Sequence, residues 1–189
     1  MRKRTLILIV LAIILVVEAV WAFRFLQSQG KGPIETITSV IPQQTIATMS
    51  VDPSEVTVTV ESQFTSSISV DLAGREVNGM DAIIKYDPQL LEVLESASGD
   101  LFENLLVNEI DTENGTISIT ASRLSKDSPP ISVNGILSVI TFQALQPGIT
   151  TVDIVFDPQT TSTSNVTEAG TSDNILTTVH NAQVTITSQ

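Results

Sequence analysis

The sequence predicts an all-β sandwich of about nine strands for residues 51–189, preceded by an apolar membrane segment and a polar tether. Three observations carry the sandwich. Apolar and polar residues alternate in short runs, the period of a strand with one face in a core and the other in water. Turn signals stand between the runs, at Asn78-Gly79, Asn114-Gly115, Asn134-Gly135 and Pro147-Gly148, where Asn, Gly and Pro supply the backbone angles of tight turns. Only Asp100 to Leu106 reads as a helical turn.

Residues 1–26 form the first element. Met1-Arg2-Lys3-Arg4 precedes Thr5 to Phe23, a run whose single charge is Glu18. At about 1.5 Å per residue the run covers roughly 28 Å, enough to cross a hydrocarbon core. The basic start belongs on the cytoplasmic side, so everything after Phe23 belongs outside the cell membrane. Trp21 and Phe23 sit where an interfacial aromatic belt would sit, and Glu18 is near enough to that end to tilt toward headgroups. The rival reading is a cleaved signal peptide, for which Val20-Trp21-Ala22 offers the small residues. The apolar run is longer than a signal peptide's usual core, which favours an uncleaved single-pass anchor. Residues 27–50, rich in Ser, Thr, Gln, Gly and Pro, read as a flexible linker. As a coil it would hold the domain roughly 25–30 Å from the membrane.

The strands follow in order. Val56, Val58 and Val60 alternate with Glu55, Thr57, Thr59 and Glu61; Ile68, Val70 and Leu72 alternate with serines and Asp71. Ile117 and Ile119, then Val152, Ile154 and Phe156, then Ala182, Val184 and Ile186 repeat the pattern, while Ile136 to Leu145 is apolar on both faces, as a central strand is. The Ser/Thr-rich stretch from Asp157 to Asn174 reads as a long loop.

Composition removes several functions. There is no Cys, so disulfides, thiolate nucleophiles and thiolate metal sites are excluded, and a single His leaves no multi-His metal centre. From Val51 onward 4 basic residues face 19 acidic ones, a net charge of −15, which argues against nucleic acid as a partner. An enzyme is not expected: no spacing sets two carboxylates across one cleft, and His180 has no nucleophile beside it. No cofactor or metal is expected either. Asp111-Thr112-Glu113-Asn114-Gly115 echoes a calcium loop but lacks the rest of its ligand pattern and reads better as an Asn-Gly hairpin. Asp157, Glu168 and Asp173 could approach a calcium ion only from the late loop, which is not the favoured reading.

Two stretches go beyond generic pattern. Val77-Asn78-Gly79-Met80-Asp81-Ala82-Ile83-Ile84-Lys85-Tyr86-Asp87-Pro88 leads into Gln89-Leu90-Leu91-Glu92-Val93, and Gly115-Thr116-Ile117-Ser118-Ile119 precedes Gly135-Ile136-Leu137-Ser138-Val139-Ile140-Thr141-Phe142. Pro88 fixes its own φ and keeps Asp87 extended. Alternation then turns Tyr86 inward with Ala82 and Ile84, and Asp81, Ile83 and Lys85 outward. Together these strings resemble the cohesin domain over roughly residues 56–186. The resemblance implies a nine-stranded jelly roll whose outer sheet binds a dockerin-like protein, in the setting of polysaccharide degradation. It also implies that Asp81 contacts the partner. The family's companion position, often Asn, is here Gly79, with Asn78 beside it. Ile83, Lys85, Thr120, Ser122 and Arg123 complete the expected partner-binding set. Alternatives are direct binding of extracellular polysaccharide and a structural cell-surface stalk. The five aromatic rings after Val51 are too few for a sugar-stacking strip.

Overall fold

A computed structural model of the chain describes residues 47–125, 127–160 and 162–188. The expected membrane segment and all but the last four residues of the expected linker lie outside the described residues. Period-2 alternation becomes twelve strands: β1 (Ala47–Asp52), β2 (Glu55–Thr59), β3 (Gln63–Asp71), β4 (Val77–Lys85), β5 (Leu91–Ser98), β6 (Val107–Asp111), β7 (Thr116–Ser122), β8 (Gly135–Ala144), β9 (Gly148–Ile154), β10 (Asn165–Glu168), β11 (Leu176–His180) and β12 (Ala182–Thr187). One sheet has the order β11-β1-β3-β8-β5. The other runs β2-β12-β9-β4-β7-β6, with β10 also paired to β4. Neighbours are antiparallel except β1 with β11 and β2 with β12, which run parallel.

The core lies between the sheets, where inward positions of both meet. Ile68, Leu91, Ile140 and Phe142 come from one sheet and Met80, Ile84, Ile117 and Val184 from the other, all essentially without solvent contact. Phe142 stacks on Phe64 at a centroid distance of 5.4 Å and meets the edge of Tyr86 at 5.7 Å, the offset and edge-on geometries that ring quadrupoles favour. The Tyr-Asp-Pro string folds as expected. Tyr86 is buried. The Asp87 carboxylate accepts from Gln89 N at 2.9 Å, and its carbonyl accepts from Leu91 N at 2.9 Å, which turns the chain into β5.

Four features differ from expectation. The strand count is twelve rather than about nine, because β6, β10 and β11 are short and gain their conformation from pairing instead of from an apolar repeat of their own. β1 begins at Ala47, inside the stretch read as linker, with Ala47, Met49 and Val51 buried between polar residues. No helix is present at Asp100–Leu106: the amide of Leu106, which in a helix would donate to Phe102 O, donates to Thr120 O at 2.7 Å, and those of Gly99, Asp100 and Leu101 tie the start of the segment to Leu137 and Ile136. Asn78-Gly79 is not a turn but part of β4. A Cβ at Gly79 would stand 2.8 Å from Ala121 O and 2.9 Å from Ser122 Cβ, so this glycine serves strand approach. Asn114-Gly115 does close the β6–β7 hairpin, with Gly115 at φ 63°.

Candidate functional site

β4 organises the outer face of its sheet. Along one edge it pairs with β7 over its length, from Gly79 opposite Ser122 to Lys85 opposite Thr116. Its other edge changes neighbour midway. Ile84 and Lys85 pair with β9, whereas Val77 to Asp81 pair with β10. Ser164, fully buried, fills the junction: its Oγ accepts from Ile83 N at 2.9 Å, and its own amide donates to Val155 O at 3.0 Å. The supposed loop from Asp157 to Asn174 therefore contains a strand that completes this face.

Registers place Thr167, Gly79 and Ser122 in one outward row and Asn165, Asp81, Thr120 and Val107 in the next. Asp81 is half-buried rather than a freely solvated acid. Its Oδ1 accepts from Thr120 Oγ1 at 2.6 Å and its Oδ2 from Asn165 Nδ2 at 2.8 Å. Asn78, Gly79, Asp81, Thr120, Ser122 and Arg123 line a shallow groove of about 450 Å³, with Leu124 and Thr167 on its rim. A second depression of about 160 Å³ adjoins it, formed by Asp81, Ile83, Ser118, Thr120 and Thr163.

Five of the seven residues expected to bind a partner thus share one groove, and Ile83 lies in the adjoining depression. Ile83 is half-buried, its backbone held by Ser164 and Val155. Lys85 is exposed and lies outside both hollows, opposite Asp153 of β9. Arg123 Nη1 donates to Ser128 O at 3.0 Å, and its amide donates to Asn78 O at 3.0 Å, tying the end of β7 to the start of β4.

Sequence reasoning missed Asn165, Thr167, Leu124 and Val107. The first two are polar and sit in a Ser/Thr-rich tract without alternation, so no local signal marks them. Leu124 and Val107 are exposed apolar residues, 66% and 39% accessible, next to the groove. Sequence alone does not separate such residues from core ones.

Charges around the site have local causes. Hydrogen bonds from Arg75, then Thr171, hold the Glu168 carboxyl below its ordinary value, and the Arg75–Glu168 ion pair ties the end of β10 to the β3–β4 connection. Asp111 is lowered by the side chain and then the backbone amide of Asn114, with Glu113 N adding to them, the geometry of a capped hairpin. Burial raises the Tyr86 hydroxyl, with Asp111 and Glu92 adding to it. Asp157, one of the three late-loop acids whose joint approach to calcium is the disfavoured reading, accepts from Gln159 N of its own turn. His180 is exposed at the end of β11, in register with Ser50. The five rings after Val51 are all buried or half-buried, so no aromatic strip faces solvent among the described residues.

The cohesin-domain family model matches residues 48–186, and the chain belongs to that family. Cohesin domains are protein-binding modules without catalytic activity, and this chain is one such module rather than an enzyme. Among solved structures, the cohesin CaCohA2 of Clostridium acetobutylicum is 22% identical, with 76% of this chain and 92% of that chain covered at a TM-score of 0.63. The OlpC cohesin of Clostridium thermocellum, solved in a type I cohesin–dockerin complex, is 14% identical over 76% of this chain and 95% of that one, at 0.64. A non-cellulosomal cohesin from the archaeon Archaeoglobus fulgidus is 17% identical over 76% and 93%, at 0.58. At these identities the likeness shows the fold. No curated protein sequence matches the chain.

Proposed function

We propose that this chain is a membrane-anchored extracellular cohesin module that holds a dockerin-type protein against the outer face of β4 and β7. The observation that carries this reading is the groove centred on Asp81, where a fixed carboxylate stands near the exposed apolar side chains of Leu124, in the groove lining, and Val107, opposite Thr120. A polar centre beside a few apolar anchors is the anatomy of a specific non-covalent interface. Residues 5–23 anchor the module in the cell membrane, and residues after them present it to exported partners, including enzymes of polysaccharide degradation. The reading is supported by the family and by the domain's acidity, which attracts cationic surfaces.

The test is surface capture. Full-length chain in detergent is immobilised and exposed to purified dockerin modules from exported proteins of the same genome. Saturable binding is expected, and Asp81→Arg, folded but with melting lowered by the loss of its bonds to Thr120 and Asn165, weakens it by at least tenfold, or about 1.4 kcal/mol. Binding that survives Asp81→Arg would remove this face from the interface. Retention on a glycan column with no dockerin retained would support the carbohydrate alternative instead. Protease protection of residues 1–26 in intact membranes checks the anchor.

A further inference from the structure

Across the two rows the side chains of Thr167, Asn165, Asp81 and Thr120 form one hydrogen-bonded line whose donors are spent on one another and on Thr163 O. Thr167 Oγ1 donates to Asn165 Oδ1 at 3.3 Å. Asn165 Nδ2 donates to Asp81 Oδ2 at 2.8 Å and to Thr163 O at 3.3 Å, which uses both amide protons. Thr120 Oγ1 donates to Asp81 Oδ1 at 2.6 Å. In the same row as Thr167, Ser122 Oγ donates to Arg123 O at 3.1 Å. What the line still offers an incoming group is lone pairs, those left on the Asp81 carboxylate and those on the two threonine hydroxyls.

Asn165 is only 8% exposed, and its strand is held by β4 and by the Arg75–Glu168 pair, so this polarity is built in rather than adjustable. A carboxylate or carbonyl brought against the line would lose water without gaining a donor, which is the costly outcome for a desolvated acceptor. Lysine and arginine have donors only and therefore complement it completely. Exposed Leu124, in the groove lining, and Val107, opposite Thr120, offer apolar surface on which methylene stems can lie while the charged head reaches Asp81. The charges nearby agree. Glu109 and Asp111 share the outward face of β6, and Asp153 accompanies Lys85, while Arg123 lies at the opposite end of the groove with Nη1 directed to Ser128 O.

We infer that the hydrogen-bonded chain Thr167–Asn165–Asp81–Thr120 selects a dockerin-type partner that places a lysine or arginine at the centre of the groove, and that Asn165 is the positioning residue that aims Asp81 at it. This rests on the function proposed above and names the partner's chemistry at that same site.

The experiment is a set of double-mutant cycles by calorimetry. It uses the full-length chain and a dockerin module that the wild type retains, with each helix Lys or Arg of that module changed to Gln in turn. One such change is expected to cost about tenfold in affinity, and the cost should largely vanish when paired with Asp81→Asn. Asp81→Asn should also flatten the loss of affinity as salt rises from about 50 to 300 mM. Asn165→Ala should shrink the Asp81–cation coupling several-fold, a readout that a purely structural role would not move, and Thr120→Val should do the same if Asn165→Ala fails to fold. The inference is overturned if no Lys or Arg of a bound module couples to Asp81, or if both Asn165→Ala and Thr120→Val leave the coupling intact. If the wild type retains no dockerin module at all, the proposed function falls together with it, so the two failures are distinct.

Discussion

Gly79→Ala tests whether the closeness of β4 and β7 maintains the site. The new Cβ would meet Ala121 O at 2.8 Å and Ser122 Cβ at 2.9 Å, where comfortable contacts between heavy atoms lie near 3.5–4.0 Å. Both obstacles belong to β7 and neither is the end of a flexible side chain, so the strands must separate by several tenths of an ångström. Overpacking of this kind costs about 1–3 kcal/mol. The next outward pair is Asp81 with Thr120, so the same movement stretches a 2.6 Å hydrogen bond worth about 1 kcal/mol. Against this, Ala restricts the unfolded chain and returns about 0.4–1 kcal/mol. The net loss is about 1–3.5 kcal/mol, which for a domain of this size lowers Tm by roughly 3–11 °C. Thermal and urea unfolding followed by circular dichroism measures it, and dockerin binding should weaken in parallel. An alanine variant as stable as the wild type, with the Asp81–Thr120 bond retained in its structure, would refute the account of Gly79 as a spacer-free crossing.

Two further outcomes follow from the surroundings of single side chains. The Tyr86 hydroxyl is buried without a hydrogen-bond partner among the described residues, so Tyr86→Phe should leave stability unchanged or raise it by up to about 1–2 kcal/mol; a clear drop in urea midpoint would show that the hydroxyl has a partner after all. Glu168 is held below its ordinary value of 4.5, first by Arg75. The folded protein therefore takes up this proton at lower pH than the unfolded chain does. The stabilisation is present above the unfolded value and fades as pH falls through the lower folded value. Melting temperatures of wild type and Glu168→Gln between about pH 6 and 3 should thus converge on acidification, and a constant gap would contradict the assigned ion pair.

How much was legible depends on where each signal resides. The long strands announced themselves: Ile117 and Ile119 in β7, or Val184 and Ile186 in β12, alternate strictly because one face meets the core. Half of the site was legible for the same reason. Alternation turns Asp81 and Thr120 outward, and the resemblance through Tyr86-Asp87-Pro88 singled out Asp81. The pairing of Asp81 with Asn165 was not legible, since 84 residues separate them. Nor was β10, whose four residues take their extended form from β4. Asn78-Gly79 misled because a glycine that permits close strand approach is spelled like one that permits a turn.

By itself the chain's order of residues determined the class of fold, the outward station of the acid and the absence of thiol chemistry, since each follows from residue type and from the two-residue repeat of an extended backbone. Only the folded arrangement decided which distant strand would complete the β4 edge, and with it whether Asp81 would stand free or be held. That choice rests on backbone hydrogen bonds between segments far apart in sequence, and backbone groups carry no residue label from which it could be read.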